Sequence, residues 1–374
     1  MTSLPPALQQ VDPTHVLCAG RSFLYFSGCD YFRLASNKTV IRAVQRATRQ
    51  FGFNVGASRV TTGNHALYEQ LESRLASFFG FPAATLVSSG YAANLVAVQA
   101  LSGLCARFLI DAQAHSSLRL ASDLLKVPGA SFVHRDPVDF QRRMEDRKAP
   151  GGTLALTDGL FSFSGAVADL SRYAPCLREG DFLLVDDAHG SGVLGPRGRG
   201  ALDPRPKLSA EQLILTTTLS KALGAYGGVV LSSRALQKRI HAQSHFFAGN
   251  TPPPLPVAAG ALAALDLLES RGEPLRHRIQ RNMTRIRTAL QNEGLNVPNH
   301  PGPVIGLVPK SALASARFKK SLLASAIYPP LVVYPGTPSG GYFRFAFSSA
   351  HTSKQLDAVA KVILRHKVDL DPIP

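Results

Sequence analysis

The sequence predicts an α/β protein, with a mostly parallel central sheet flanked by helices and a smaller α+β C-terminal domain. Three observations favour this class. Short apolar segments alternate with helical patterns through the middle of the chain, and a strand–helix–strand–helix pattern occupies its last part. Hydrophobic residues also make up 45% of the 374 residues, which is enough for a sizeable core. This composition excludes disordered, collagen and coiled-coil proteins.

Two helices are predicted in the first quarter of the chain. The first 35 residues contain no long periodic helix, whereas apolar residues recur at helical spacing over residues 39–51. A second helix is predicted over residues 64–79, and it ends at Gly80 because glycine is common just past the last helical turn.

Six short apolar segments then predict buried parallel strands, at residues 84–88, 107–111, 153–158, 182–187, 213–218 and 227–233. Continuous apolar runs of this length are typical of parallel sheets that are covered on both faces. Ligands of such sheets bind beyond the carboxyl ends of the strands. The polar residues that end these strands are therefore the first candidates for a site: Ser88, Ser89, Gly90, Asp111, Asp158, Asp186, Asp187 and Thr218.

A run of three prolines at residues 252–254 marks the start of the C-terminal part. The patterns after it predict a helix at 255–269, a basic helix at 274–293, a strand at 303–308, a helix near 311–325, a strand at 342–348 and a helix at 354–365. We therefore expect an N-terminal segment of residues 1–35, a large domain of residues 36–255 and a smaller domain of residues 256–374.

The chain is strongly basic, with 41 Lys and Arg against 25 Asp and Glu, a net charge of +16. Such a surplus favours anionic partners without choosing among them. The four cysteines form no CxxC pair and no zinc spacing, so we expect no metal site and reduced thiols in a cytoplasmic protein. No secretory pattern begins the sequence, and no membrane span is expected.

Three motifs carry candidate chemistry, and each has an ordinary alternative. SSGYAAN at residues 88–94 joins a strand to a helix and is either an anion-binding turn or a simple glycine turn. The acids and histidine of VDDAHG at residues 185–190 could bind a metal, relay a proton, pair with a protonated ring nitrogen or lie in a solvated loop. Lys221 lies among small residues and is either an imine-forming lysine or a surface residue.

In combination, the motifs are far more specific. In their order and spacing, five motifs resemble those of the α-oxoamine synthase family: SGYAAN, DAQAHSSL, TDGLFSFSG, VDDAHGSGVLGPRGRG and TTTLSKALGAYGG. The resemblance runs from about Arg21 to His351. These are pyridoxal 5'-phosphate enzymes of fold type I that condense an amino acid with an acyl thioester. The resemblance thus implies that fold, that cofactor and a homodimer whose site is shared between two subunits.

The resemblance also assigns roles to individual residues. Lys221 matches the lysine that binds the cofactor covalently, Asp186 the carboxylate that pairs with its ring nitrogen, and His115 the histidine stacked on its ring. His189 and Ser162 match groups near the phenolic oxygen. The predicted phosphate contacts are Ser89, Gly90, Tyr91 and Thr218. The predicted substrate-binding residues are Arg344, for the amino-acid carboxylate, and Arg21. The predicted catalytic residues are Lys221, His115, Asp186 and His189.

The chain departs from the family pattern at two places. Cys29 stands where the family has an asparagine, and Arg33 replaces a glycine. The family also has Ser or Thr just before its Pro-Pro pair, donated by the neighbouring subunit, whereas this chain reads FFAGNTPPP, so Asn250 or Thr251 could substitute.

The departures bear on substrate choice more than on reaction type. The prolines that follow the FFAGN segment and the short chain favour one reaction of the family, that of alanine with a pimeloyl thioester. Coenzyme A or an acyl carrier protein would deliver the acyl group. Reactions of glycine or serine, and an aminotransferase of the same fold, remain alternatives. No GxGxxG motif opens the first strand–helix unit, which disfavours a dehydrogenase, and nothing beyond charge supports nucleic-acid binding.

Overall fold

The computed structural model describes residues 4–146, 151–202, 207–333 and 340–374. The strands of the described residues are β1 Gln9–Asp12, β2 His15–Cys18, β3 Arg21–Tyr25, β4 Ala83–Val87, β5 Cys105–Asp111, β6 Gly129–Phe132, β7 Gly152–Asp158, β8 Phe182–Asp186, β9 Leu213–Thr218, β10 Gly228–Ser232, β11 Val304–Pro309, β12 Ile327–Tyr328, β13 Leu331–Val332, β14 Tyr342–Ala346 and β15 Leu370–Pro372.

The helices of the same residues are α1 Lys38–Phe51, α2 Ala66–Phe79, α3 Gly90–Ala100, α4 Ser116–Asp123, α5 Pro137–Glu145, α6 Leu170–Tyr173, α7 Arg234–Gln243, α8 His245–Ala248, α9 Leu255–Asn292, α10 Ala312–Ala324 and α11 Ser353–Arg365. Gly80 ends α2 in the left-handed conformation (φ 72°), as the sequence predicts. None of these helices combines the length and apolar character that crossing a membrane requires.

The chain divides into two compact units. The large unit consists of Leu34–Phe161 and Val167–Glu273. The small unit consists of Met1–Arg33, Ser162–Ala166 and Pro274–Pro374. The sequence analysis expected the smaller domain to begin at residue 256, one residue after the start of α9, whereas the two units divide between residues 273 and 274, inside that helix.

A seven-stranded sheet in the order β4-β10-β9-β8-β7-β5-β6 organises the large unit. The strands β9, β8, β7, β5 and β6 pair in parallel. Helix α3 is buried on nearly every side, and its Val96 and Ala97 pack in one apolar cluster with Leu184 and Ile214 of the sheet. The predicted α/β class is confirmed.

The small unit contains two four-stranded sheets, β1-β2-β3-β12 and β13-β14-β11-β15. The second is antiparallel throughout and gives this unit the predicted α+β character. All four cysteines of the chain are free thiols.

Two predictions about elements are wrong, and one strand of the central sheet was missed. The segment 227–233 forms an antiparallel strand, β10, because only nine residues separate it from β9, too few for a parallel crossover. The helices predicted at 255–269 and 274–293 are one helix, α9, which continues through Pro274. Strand β6 was not predicted, because it is short, begins with glycine and is mostly exposed.

Candidate active site

The carboxyl ends of three neighbouring strands place polar side chains side by side in the large unit. Asp158 at the end of β7 is in register with Asp186 at the end of β8. Asp186 is in turn in register with Thr216 of β9. The site that the sequence predicts at these strand ends is therefore assembled by the sheet itself.

Asp186 is buried, with 7% of its surface exposed, and both of its carboxylate oxygens accept hydrogen bonds. The Asn94 side-chain amide donates to Oδ2 at 2.7 Å, and the Ala188 backbone N–H donates to Oδ1 at 3.1 Å. Two donors of this kind stabilise a carboxylate in its charged form. A buried, charged carboxylate is what a protonated ring nitrogen requires as its partner.

Asn94 is a site residue that the sequence analysis did not assign. It lies in α3, is fully buried, and its Nδ2 also donates to Ser117 Oγ at 2.8 Å, while Thr216 Oγ1 donates to its Oδ1 at 2.5 Å. Three elements are thus tied to Asp186 through one amide. An asparagine within an otherwise apolar helix was the signal that could have identified it.

His115 caps the N-terminus of α4, where its Nδ1 accepts a hydrogen bond from Ser117 N at 3.2 Å. Its own backbone N–H donates to Asp158 Oδ2 at 2.8 Å. The residue retains solvent exposure, yet desolvation of its ring lowers the pKa, and the charge of Lys221 acts in the same direction against that of Asp186. A neutral imidazole with an accessible face suits stacking on an aromatic ring.

Lys221 follows β9 in the short connection to β10 and is half-buried. Its positive charge acts on the pKa of His115, Asp158 and Asp187, so its amine lies close to the acidic strand ends. This location favours the imine-forming role, which stays a prediction. Lys221, Asp186 and His115 are brought together as the family resemblance implies.

The turn before α3 forms a narrow cradle with the end of β9. Ser89 caps α3 by accepting a hydrogen bond from Ala92 N at 3.1 Å. A Cβ on Gly90 would lie 2.7 Å from Thr218 Cβ, and a Cβ on Gly228 would lie 2.0 Å from the Ser89 carbonyl oxygen. Only glycine fits at these two positions, and the first N–H groups of α3 are left for an anion.

Two further predicted phosphate contacts line the same turn. Thr218 Oγ1 donates to the Gly227 carbonyl at 3.1 Å and accepts from Ser220 N at 3.1 Å. Tyr91 is 44% exposed, and its ring lies edge-on to that of His115, with the centroids 6.3 Å apart. The cradle and the stacking residue are therefore continuous.

Asp187 is fully buried beside Asp186 and has a different environment. Its Oδ2 accepts hydrogen bonds from Ser191 Oγ at 3.1 Å and Ala201 N at 3.2 Å. Burial raises the pKa of Asp187 to about 8, against these two bonds and with the help of the Asp186 charge. Asp187 is thus a largely protonated structural acid near neutral pH.

Three glycines make room for the Asp187 carboxyl group. A Cβ on Gly159, Gly190 or Gly200 would lie 2.5 Å, 2.2 Å or 1.7 Å from one of its oxygens. Gly200 also has a positive φ of 84°. The glycine-rich segment after VDDAH therefore encloses the Asp187 side chain, in addition to forming turns.

Asp158 is the second residue of the site that received no role from the sequence. Burial first, and the neighbouring Asp186 charge second, raise its pKa well above the ordinary range. The Asp158 carboxyl accepts the His115 backbone N–H, and its raised pKa favours the protonated form beside Asp186. Both of the acids beside Asp186 therefore have raised pKa values.

The structure does not assign a contact with cofactor or substrate to the remaining predicted site residues. His189 is buried three residues after Asp186, and its contact with the phenolic oxygen stays a prediction. Ser162, Arg21 and Arg344 belong to the small unit, so their roles also stay predictions. Residues 334–339 of the predicted substrate arm lie outside the described residues.

Asn250 lies against the phosphate turn of its own chain. Its side-chain amide donates to Ser88 Oγ at 2.8 Å, beside the cradle formed by Ser89 and Gly90. The predicted substitution of the family hydroxyl concerns the neighbouring subunit, so it stays a prediction.

The described residues fit pyridoxal phosphate. The glycine-lined turn at the N-terminus of α3 suits a phosphate, Asp186 suits a protonated pyridine nitrogen, the accessible face of His115 suits the ring, and Lys221 suits the aldehyde. Each of these groups lies in the large unit.

Comparisons with known proteins agree with this geometry. The family model for aminotransferase class I and II matches residues 26–363. An 8-amino-7-oxononanoate synthase of Stutzerimonas stutzeri strain A1501 is 34% identical over 365 residues, which cover 96% of this chain and 91% of the relative.

Two solved structures extend the comparison. Serine palmitoyltransferase of S. paucimobilis shares the fold, with a TM-score of 0.89 at 23% identity over 97% of this chain and 92% of that one. An 8-amino-7-oxononanoate synthase of Francisella tularensis has a TM-score of 0.79 at 26% identity, over 92% and 97% of the two chains. The chain belongs to the aminotransferase class I and II family, whose members use pyridoxal phosphate, and to its α-oxoamine synthase branch.

Proposed function

We propose that this protein condenses an amino acid with an acyl thioester and releases carbon dioxide and a thiol, forming an α-aminoketone. The favoured reaction is that of 8-amino-7-oxononanoate synthase, in which alanine and a pimeloyl thioester are joined for biotin synthesis. The main support is the grouping of Lys221, His115 and a hydrogen-bonded Asp186 at one site. The chain that contains this group is 34% identical to such an enzyme over 96% of its length.

The residues divide the work by their chemistry. Pyridoxal phosphate, when bound, supplies a ring that withdraws electrons from the amino-acid Cα. Asp186 would hold the proton on the ring nitrogen, and the cradle at Gly90 would hold the phosphate. The Lys221 amine, once released by the incoming amino acid, would take the proton from Cα. Arg344 would bind the α-carboxylate through paired hydrogen bonds.

The test is a panel of amino acids crossed with acyl thioesters. We expect one thiol and one carbon dioxide for each α-aminoketone, with alanine and a pimeloyl thioester as the best pair. Formation of a keto acid without thiol release would instead establish an aminotransferase. Comparison of glycine, serine and alanine at equal donor concentration then assigns the amine.

We further propose an anionic acyl donor, either coenzyme A or an acyl carrier protein. Residues 274–374 contain 14 Lys and Arg against 4 Asp and Glu, so this stretch supplies most of the net charge of the chain. The C-terminal half of α9 lines an open groove of about 1130 Å³ that includes Arg278, Arg281 and Arg285. Of these, Arg285 is paired with Asp357 at 2.6 Å.

A basic groove accelerates encounter with an anionic donor and does not change buried chemistry. We expect kcat/KM for the donor to fall as salt rises, while kcat at saturation stays nearly constant. Replacing Arg278 and Arg281 by glutamine is expected to flatten that salt dependence. The matched control replaces the exposed Lys319 and Lys320 of α10, which removes the same charge from another surface. Equal behaviour of the two variants would exclude a role for this groove.

We also propose a homodimer, because the family site is shared across a two-fold interface. Large apolar side chains are exposed on the large unit, among them Phe53 (69%), Val60 (45%) and Tyr226 (52%). Contact with a second copy would remove such side chains from water. Sedimentation is expected to give a dimer at assay concentrations, and a fully active monomer would contradict the proposal. The four free thiols support a reducing compartment such as the cytoplasm.

A further inference from the structure

A chain of hydrogen bonds within the large unit connects the Asp186 carboxylate to the ring of His115. Asn94 Nδ2 donates to Asp186 Oδ2 at 2.7 Å and to Ser117 Oγ at 2.8 Å. Ser117 Oγ in turn lies 2.7 Å from His115 Nδ1. Asn94 and Ser117 are buried, with 0% and 1% of their surfaces exposed, so these bonds are shielded from water. Ser117 is therefore the link between the predicted partner of the ring nitrogen and the predicted stacking residue.

The direction of each bond follows from the chemistry of the groups. A charged carboxylate only accepts hydrogen bonds, so the Asn94 atom that faces Asp186 is the amide nitrogen. The amide oxygen then faces Thr216 Oγ1, which donates to it at 2.5 Å. The two hydrogens of the Asn94 amide bind Asp186 and Ser117. The Ser117 oxygen is thus an acceptor toward Asn94, and its own hydrogen is left for His115.

The His115 ring meets two donors at one nitrogen. The Ser117 backbone N–H donates to Nδ1 at 3.2 Å, where His115 caps α4, and the Ser117 hydroxyl meets the same atom. A ring nitrogen that accepts a backbone N–H carries no hydrogen of its own. Desolvation lowers the pKa of His115 below its ordinary value, so the ring is neutral near pH 7. A neutral imidazole has one N–H, and its hydrogen is therefore on Nε2.

We propose that Ser117 is a positioning residue that holds Nδ1 of His115 as an acceptor, keeps the ring hydrogen on Nε2 and connects the ring to Asp186 through Asn94. With this hydrogen on Nε2, His115 offers an N–H donor there and no base, so Lys221 remains the group that takes the proton from Cα. Only this kinetic consequence rests on the proposed function, because the positions of the hydrogens are a property of the chain itself.

The first test reads the hydrogen positions directly. Solid-state nitrogen NMR of the full-length protein as purified, with isotope-labelled histidine, distinguishes a ring nitrogen that carries hydrogen from one that accepts a hydrogen bond. Among the eleven histidines, the signals of His115 are those that disappear in His115→Gln. Near neutral pH we expect Nε2 to carry the hydrogen and Nδ1 to accept. A hydrogen on Nδ1 would overturn the proposal, whether or not the protein condenses a thioester.

The second test is Ser117→Ala, which removes the hydroxyl and keeps the backbone N–H of position 117. We expect the Nδ1 signal to move toward that of a nitrogen with fewer hydrogen bonds. We also expect kcat to fall by about 3- to 10-fold, as for the loss of one neutral hydrogen bond. Ser116→Ala is the matched control, because Ser116 is the exposed neighbour of Ser117 in α4, and it should leave the signal in place and kcat within twofold. An Nδ1 signal that stays in place in Ser117→Ala would overturn the role of the hydroxyl.

A double-mutant cycle tests the connection to Asp186. Asn94→Ala removes the amide that donates both to Asp186 and to Ser117. Residues that act in one hydrogen-bond network give non-additive losses. We therefore expect kcat of the double variant of Asn94→Ala and Ser117→Ala to lie within threefold of that of Asn94→Ala alone. A loss equal to the product of the two single losses would show that Ser117 and Asn94 act independently, and would overturn the connection of His115 to Asp186.

Discussion

Asp186 and Asp187 are adjacent in sequence and lie in opposite electrostatic environments. Asp186 receives hydrogen bonds on both oxygens, one of them from the buried Asn94 amide. Asp187 is enclosed by glycines, receives its two hydrogen bonds on one oxygen only, and has its pKa raised to about 8. The hydrogen bonds of Asp186 favour its charged form, whereas the burial of Asp187 favours its protonated form.

The difference shows how a loop with two acids performs one function. Two charged carboxylates side by side would repel each other in a buried site, and one of them would take up a proton. Here the hydrogen-bond donors favour protonation of Asp187, because they bind both oxygens of Asp186 and leave Asp187 Oδ1 without a hydrogen-bond partner. The assignment of the ring-nitrogen partner therefore follows from local hydrogen bonds as well as from the motif.

Asp186→Asn is expected to have the largest effect. The amide cannot hold a proton on the ring nitrogen, so kcat should fall by about 10³-fold, or about 4 kcal/mol of barrier, while cofactor absorbance is retained. Steady-state kinetics of the reconstituted variant measure this loss. Asp187→Asn is the matched control, with kcat expected within tenfold of the parent. If Asp187→Asn lowers kcat more than Asp186→Asn does, then Asp187 and not Asp186 is the partner of the ring nitrogen.

Asn94→Ala is expected to have an intermediate effect. It removes the donor to Asp186 Oδ2 and the partner of Thr216 Oγ1, so kcat should fall by about 10- to 100-fold, in keeping with the loss of a charge-assisted bond of about 1.5–3 kcal/mol. Asn282→Ala is the control, because that part-buried amide donates to the neutral backbone carbonyls of Ser348 and His351. Equal losses in the two variants would show that the bond to Asp186 has no special importance.

The smallest effect on catalysis is expected at Asp187, whose signature is instead a pH dependence of stability. The folded chain holds the Asp187 proton up to about pH 8, whereas an unfolded chain releases it near the ordinary value of 3.8. The folded state binds the extra proton in this interval, so the free energy of unfolding should decrease with rising pH, by at most about 1.4 kcal/mol per pH unit. Urea unfolding at pH 5, 6, 7 and 8 should show that Asp187→Asn removes this decrease.

Asp139→Asn provides the control for that measurement. Hydrogen bonds from Val133 N and Arg143 lower the pKa of Asp139, so its contribution to stability is lost only as the pH falls below the ordinary carboxyl range. Between pH 5 and pH 8 its replacement should change stability by a constant amount. A pH-independent difference for Asp187→Asn as well would show that Asp187 is ionised in the folded protein.

Much of the fold was predictable because its strands are continuous apolar runs, such as residues 182–187 and 213–218. Strand direction was not encoded in the same way. An apolar run has the same composition in either direction, and only the short connection after β9 decides that β10 is antiparallel. The break expected between residues 269 and 274 is likewise absent, since α9 is one helix that contains Pro274.

The site was predictable where motif and strand end coincide, as at Asp186, His115 and Lys221. Asn94 and Asp158 received no role, because their importance arises from contacts with residues far along the chain. Asn94 meets Asp186 across 92 positions, and the Asp158 carboxyl meets His115 across 43. Pairings of this kind become visible only once the sheet order is known.

The central claim is that the strand-end site of the large unit holds pyridoxal phosphate through Lys221. Borohydride reduces the imine between the cofactor and a lysine, and peptide mapping by mass spectrometry then locates the modified residue. The account predicts modification of Lys221 alone, and Lys221→Ala should fold and carry no label. Modification of one of the other eleven lysines, or a labelled Lys221→Ala protein, would contradict it.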